Sequence, residues 1–295
     1  MTPMSQQLAE KGFVVARGVL TPDEVAHYRS LLIERSEIMM TPVRRHGRGG
    51  HSWNNTDGVS KDPAFWDLIW HQRLLAEVDA TIGSGFKYLQ HSDLQVGFSA
   101  IAWHRDNVNR TLGVGPDWDE TEGPYGLVRV GIYLQSYEES GFRLGFIPRS
   151  HRFSPEAGPT SRWTRETGYR LQGGLAYLGP RFQNLTRSAE WVATNPGDAI
   201  IFDPRILHSG SYIQGLKLSM FVGYGHENRH FADLQNYYRN VRTELGYRAF
   251  DPELVDRLRE HHLFADSVED SDQVDEAYVP SAPIRKLVER RVRTR

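Results

Sequence analysis

The sequence predicts a mainly β protein with flanking helices: a jelly-roll or double-stranded β-helix (cupin-like) core, N-terminal helices and a partly helical C-terminal tail. Two observations predict it. From about residue 86 to 224 the chain runs in short β-type segments punctuated by glycine and proline, and the cleanest of them, 127–135, alternates strictly. The first 85 residues instead carry helical spacing of apolar side chains with capping signals. Alternating strands closing a barrel behind added helices fit a jelly roll, although periodicity alone does not separate that from a sandwich.

Composition sets the outer limits. With 295 residues, 39% apolar and 11% aromatic, the chain fills a sizeable core, and β barrels of this length occur undivided. A single domain over 1–295 is expected, with helix-rich support at 1–85, the β core with long loops at 86–225 and an extension at 226–295. A net charge of −2 gives no electrostatic reason for nucleic-acid or membrane-surface partners. The absence of cysteine excludes disulfides, thiolate metal sites and cysteine nucleophiles. Residues 1–7 lack the charged and apolar regions of a signal peptide, and no apolar run approaches the roughly 20 residues that span a bilayer. The expected location is the cytoplasm.

In chain order, residues 5–11 form a short helix capped by Gly12, and 13–20 a strand. Thr21-Pro22-Asp23-Glu24 supplies the N-cap, first-turn proline and capping-box glutamate of a helix reaching about Met40. Its inner side carries Val25, Tyr28, Leu32 and then Arg35 or Ile38. Residues 41–60, with Arg44, Arg45, His46, Arg48 and His51 among four glycines, read as a solvated loop or as a flap that meets substrate. A helical pattern returns at 62–82 and ends at Gly83.

The β region opens with strands at 94–98 and 99–104. Residues 109–126 form a loop whose length points to function. In 127–135, Val128, Val130, Ile132 and Leu134 share one face, with Arg129, Tyr133 and Gln135 on the other. After 145–151 comes an irregular insertion, 152–188, and strands at 199–202, 207–211 and 216–224 complete the set. In the tail, 252–261 is helical and 266–276 is acidic and loose.

Chemistry concentrates at Trp103-His104-Arg105-Asp106. His104 and Asp106, two apart on a strand, point to the same face. A neutral imidazole and a carboxylate are two of the three ligands of a two-His-one-carboxylate site, which holds Fe(II) with open positions. His208 is the candidate third ligand. A second copy of the pattern, His91-Ser92-Asp93, lacks an apolar lead-in and is read as loop hydrogen bonding. His226-Glu227-Asn228-Arg229-His230 and Glu260-His261-His262 lack a third ligand at workable spacing and read as solvated surface.

Four blocks then carry a resemblance. Leu8-Ala9-Glu10-Lys11-Gly12-Phe13-Val14-Val15 through Thr21-Pro22-Asp23-Glu24-Val25 is the first, and Trp103-His104-Arg105-Asp106 the second. Phe146-Ile147-Pro148-Arg149-Ser150-His151 follows, then Pro196-Gly197-Asp198 through His208-Ser209-Gly210. In this order, over residues 8–225, they resemble the phytanoyl-CoA dioxygenase family. The resemblance implies a double-stranded β-helix oxygenase using Fe(II), O2 and 2-oxoglutarate, with His104, Asp106 and His208 as the iron ligands at the catalytic centre. It places His151 at a structural histidine. Related halogenases have a small residue where Asp106 stands, so the carboxylate argues for hydroxylation or another halide-free oxidation.

One departure matters. The family carries an arginine about eleven residues beyond the second histidine, where it pairs with the far carboxylate of 2-oxoglutarate. This chain has Lys217 at nine and no arginine until Arg229. Lys217 is preferred as the anchor and Arg129 is its competitor, because the charge must be buried with its carboxylate. Gln95, Tyr133 and Ser211 are expected to contact 2-oxoglutarate. Trp53, Asn55 and Trp118, from the two long loops, are expected to meet a polar small-molecule substrate, in keeping with specialised metabolism. Two alternatives stay open: a cupin-type hydrolase or isomerase with zinc or manganese in the same triad, and a non-enzymatic jelly roll that binds a small molecule or sugar.

Overall fold

Thr2 starts the first helix, α1 (Pro3–Lys11), by accepting the Ser5 N–H at 3.1 Å, and Gly12 ends it with φ 92°. Only glycine suits that position: beyond the left-handed backbone, a Cβ would meet the His151 ring at 2.4 Å. In the computed structural model, residues 2–39, 42–45, 48–100, 103–121, 123–153, 164–165, 167–168, 189–242 and 245–266 are described. Strand β1 (Phe13–Ala16) leads to α2 (Pro22–Met39), whose capping box is complete: Thr21 accepts from the Glu24 N–H at 3.2 Å and Glu24 from the Thr21 N–H at 2.6 Å. Val25, Tyr28 and Leu32 are buried as expected. Ser36 takes the next inward place, while Arg35 turns out to Asp62 at 2.6 Å. The Ile38 side chain lies outside the described residues.

The described residues of 41–60 do not form a free loop. A hairpin, β2 (Pro42–Arg45) and β3 (Arg48–His51), precedes β4 (Trp53–Thr56), which joins the main sheet as an edge strand. Backbone pairing with a neighbouring strand outweighs the glycine-rich composition here. His46 lies outside the described residues. The helical stretch at 62–82 is split into two. Asp62 caps a 3-10 turn (Pro63–Leu68), and His71 restarts the chain as α4 (Gln72–Ile82) by accepting the Leu74 N–H at 3.3 Å. A short α3 (Gly58–Lys61) lies before them.

The remaining elements are β5 (Lys87–Leu89), β6 (Asp93–Val96), β7 (Leu127–Tyr133), α5 (Tyr137–Ser140), β8 (Leu144–Phe146), β9 (Glu190–Val192), β10 (Ala199–Phe202), β11 (His208–Gly210) and β12 (Leu218–Gly225). Then come α6 (Arg229–Asn236), one π turn (Tyr237–Val241) and α7 (Pro252–Glu260). The main sheet is antiparallel in the order β1-β10-β7-β12-β6-β4, with β5 also paired to β12; a smaller sheet runs β11-β8-β9. The two sheets face each other and do not close into the barrel the alternation predicts. Among the described residues of 99–104 no strand forms either; His104 makes an isolated antiparallel bridge to His208, with both N–H···O bonds at 3.0 Å. The insertion at 152–188 and the acidic stretch from 267 onward lie almost wholly outside the described residues. No described helix is long and apolar enough to cross a membrane.

Strand parity explains what each face does. Val14, Ala199, Ile201, Val128, Val130, Ile132, Met220, Val222 and Leu94 point to the helix side, where they pack with Leu32, Leu68, Leu74, Val78 and Leu258. Phe13, Ile200, Phe202, Tyr133 and Phe221 point the other way, onto Leu144 and Phe146 of the small sheet. The more polar face of β7 is therefore not solvated. It lines the interior between the sheets, and all seven β7 residues are buried.

Candidate active site

The interior between the sheets opens into a cavity of about 310 Å³ whose lining includes His104, Asp106, His208, Lys217, Arg129, Gln95 and Tyr133. The His104–His208 bridge brings the two imidazoles side by side, their centroids 4.3 Å apart. Asp106 follows two residues on, held by its own N–H to the Pro204 carbonyl at 2.8 Å. Its carboxylate oxygens lie 3.6 Å from His104 Nε2 and 3.5 Å from His208 Nε2. One donor atom from each residue lies within 4.8 Å of the others, the one such cluster of metal-ligand types among the described residues. His208 Nδ1 sits 3.0 Å from the Ile206 carbonyl. Donating there fixes the tautomer and leaves Nε2 with its lone pair toward Asp106.

Burial by itself would raise the Asp106 pKa. Arg129, together with the two imidazoles, outweighs it and holds the carboxyl well below the usual carboxylate range. Arg129 reaches Asp106 at 2.5 Å with one guanidinium nitrogen and pairs with Asp93 through the other. Asp93 also accepts the Asp57 N–H at 3.2 Å and the His91 N–H bonds the Leu89 carbonyl at 2.7 Å, so both make local hydrogen bonds while lining the cavity. Asp93 begins β6 facing inward, and the His91 ring stacks on Tyr238 at 4.2 Å.

Also in the cavity lining, Lys217 is 2% exposed and donates to Gln95 Oε1 at 2.8 Å. Its ammonium lies 4.6 Å from the Phe142 ring centroid. Burial, reinforced by Arg129, pushes its pKa down to about 7. The Tyr133 hydroxyl, beside it in the lining, is buried without a hydrogen-bond partner among the described residues. Lys217, Gln95 and Tyr133 thus meet in one aromatic-walled recess. Ser211 does not line it; its Oγ accepts the Arg143 N–H at 2.8 Å.

The three residues expected to meet substrate fall elsewhere. On β4 the parity is one residue off: Asn54 and Thr56 line the cavity, whereas Trp53 packs toward the helix-side core and Asn55 lies against Gly58. Trp118 donates its Nε1–H to the Asn109 carbonyl at 2.8 Å and sits beside the Arg105 and Arg205 guanidiniums, behind the Asp106 loop. Other lining residues come from the C-terminal extension: Tyr238, Arg242, Leu245 and Tyr247. Phe231, Leu234 and Tyr238, spaced three and four apart, are the helical signal that announces this element in the sequence. His230 is buried among it, not on a solvated surface, and stands 5.1 Å from the Tyr125 ring.

A family model described as Phytanoyl-CoA dioxygenase (PhyH) matches residues 8–216. No curated protein is significantly similar in sequence. Among solved structures, HygX from Streptomyces hygroscopicus, with nickel and 2-oxoglutarate bound, is similar at TM-score 0.55 and 19% identity, over 77% of this chain and 87% of that one. The non-heme alpha ketoglutarate dependent carbocyclase SnoK from nogalamycin biosynthesis follows at 0.53 and 16%, over 77% and 85%. The epimerase SnoN, of the same biosynthesis, stands at 0.51 and 16%, over 76% and 80%. These likenesses are of fold, and they make the pair of facing sheets a double-stranded β-helix. With the family match spanning more than two thirds of its length, the chain belongs to the phytanoyl-CoA dioxygenase family of Fe(II)- and 2-oxoglutarate-dependent enzymes.

Proposed function

We propose that the enzyme oxidises, most simply hydroxylates, a C–H bond of a polar small molecule, with His104, Asp106 and His208 holding Fe(II) and Lys217 anchoring 2-oxoglutarate. The observation that carries this reading is the convergence of three ligand-type atoms within 4.8 Å on one wall of the cavity. Two imidazoles and a carboxylate suit Fe(II) and leave coordination positions open. When bound, the metal supplies the oxidation: 2-oxoglutarate and O2 become succinate and CO2, and the second oxygen atom goes to the substrate C–H bond.

The chain's own residues do the rest. His208 presents Nε2 because its Nδ1–H is tied to Ile206. Lys217 offers a buried cation, and the unpartnered Tyr133 hydroxyl a donor, to the far carboxylate of the cosubstrate. The aromatic walls from Phe142 and Phe221 keep water from that charge pair. HygX binds hygromycin B together with nickel and 2-oxoglutarate, which supports a small-molecule substrate here. Asp106, as a ligand, fills the place a halide would need.

The test is cosubstrate turnover. Iron-loaded protein should convert 2-oxoglutarate to succinate only when O2 is present, and a substrate should yield a product heavier by one oxygen atom. Turnover of a substrate that is indifferent to O2 and 2-oxoglutarate would instead favour a cupin-type hydrolase.

A further inference from the structure

The cavity extends beyond the metal triad and the Lys217 recess. Its lining also includes Arg110, Arg242, His91, Tyr238 and Tyr247. Among the described residues the lining carries four cationic side chains, Arg110, Arg129, Lys217 and Arg242, against two carboxylates, Asp93 and Asp106. Both carboxylates are held by Arg129. A divalent metal and the 2-oxoglutarate dianion cancel each other, so loading the site leaves the positive excess in place. Arg110 has no ion-pair or side-chain hydrogen-bond partner among the described residues; Asp106 acts on it as a nearby opposite charge and Arg242, more weakly, as a like one. A guanidinium carries five N–H donors, and those of Arg110 face the cavity with no acceptor among the described residues.

Resting on the reading of this cavity as the oxygenase site, we propose that Arg110 binds an anionic group of the substrate, so that the enzyme acts on small organic oxyacids, carboxylates or phosphate esters. A guanidinium fork matches both groups through two parallel N–H···O bonds. The body of the substrate lies against the Tyr238 ring, which is itself braced by His91 at 4.2 Å and by Tyr247 at 5.0 Å. Arg242 adds a second positive charge to the same lining, over the Tyr237 ring at 6.0 Å. The volume of about 310 Å³ holds a compact acid, not an extended one, once the cosubstrate is seated.

Benzoate, phenyl phosphate and the neutral isostere benzamide are the probes, titrated calorimetrically into the anaerobic Fe(II)–2-oxoglutarate protein. At least one anionic probe should bind tenfold or more tightly than benzamide, and which one separates a carboxylate site from a phosphate site. Arg110→Gln should weaken that probe at least tenfold and leave benzamide unchanged. Arg110→Lys, which keeps the charge, should lose less. Equal affinity for benzamide and both anions overturns the proposal, as do equal losses in the two variants or no loss in either. Because the side chain is exposed, folding is not at stake. If the Fe(II)–2-oxoglutarate absorption band is missing, the oxygenase reading fails by itself, while the Arg110 variants still decide the anion site.

Discussion

Arg129 holds Asp106 at 2.5 Å and Asp93 with the same guanidinium, so one side chain bridges both His-x-Asp copies in the sequence. A guanidinium committed to two buried carboxylates is badly placed to take a third. Lys217, whose side chain has the neutral Gln95 as its one hydrogen-bond partner among the described residues, is the freer cation. The pairing therefore bears on which residue anchors 2-oxoglutarate.

Lys217→Ala should raise the KM for 2-oxoglutarate by tens to thousands of times, corresponding to about 2–5 kcal/mol for removing one partner of a desolvated charge pair. Iron affinity should hardly change, because Lys217 is not a ligand in this account. Steady-state kinetics at saturating Fe(II) checks this, and a near wild-type KM would move the anchor elsewhere.

Arg129→Ala should chiefly unfold the protein more easily. It leaves Asp93 and Asp106 buried without their cation, at a cost of about 3–5 kcal/mol. Saturating Fe(II) should restore part of the loss, since a dication replaces the guanidinium beside Asp106. Thermal unfolding with and without metal measures both effects.

The pH dependence follows from Lys217, whose pKa in the folded protein is about 7 against about 10.4 for an unfolded lysine. Between those values the unfolded chain binds the extra proton, so this group makes the cosubstrate-free protein more stable as pH rises from about 7 to 10. Cosubstrate binding runs the opposite way, because only the ammonium pairs with a carboxylate. The KM for 2-oxoglutarate should climb above neutral pH in the wild type and stay flatter in Lys217→Arg, whose guanidinium remains charged.

The two His-x-Asp copies should separate cleanly. His104→Ala should abolish iron binding, because two protein ligands hold a labile divalent ion poorly. His91→Ala should keep the metal and lose about 1–3 kcal/mol of stability, from a buried ring stacked on Tyr238. Metal titration and chemical denaturation of both variants decide it.

Strand parity made much of this site legible. Once Val128, Val130 and Ile132 are assigned to one face, Arg129 and Tyr133 must share the other, and the same rule pairs Gln95 with Asp93 and Lys217 with Ser219. Parity failed where its origin was not visible. In the glycine-rich stretch before β4 nothing local sets the frame, so Trp53 and Asn55 were expected where Asn54 and Thr56 stand. Trp118 looked like a loop aromatic, but its Nε1–H is spent on the Asn109 carbonyl nine positions back, a loop contact that leaves no periodic signal. The second His-x-Asp copy and the tail share one cause. Tyr238 must fold back over His91 before either faces the cavity, and such long-range packing leaves no mark in local spacing.

The most direct measurement of the central claim is the anaerobic absorption spectrum of the protein with Fe(II) and 2-oxoglutarate. A metal-to-ligand charge-transfer band should appear in the wild type, vanish in His104→Ala and His208→Ala, and survive in His91→Ala. A folded, iron-loaded wild type without the band, or a band that persists without His104, would contradict the assignment of His104, Asp106 and His208 as the iron site.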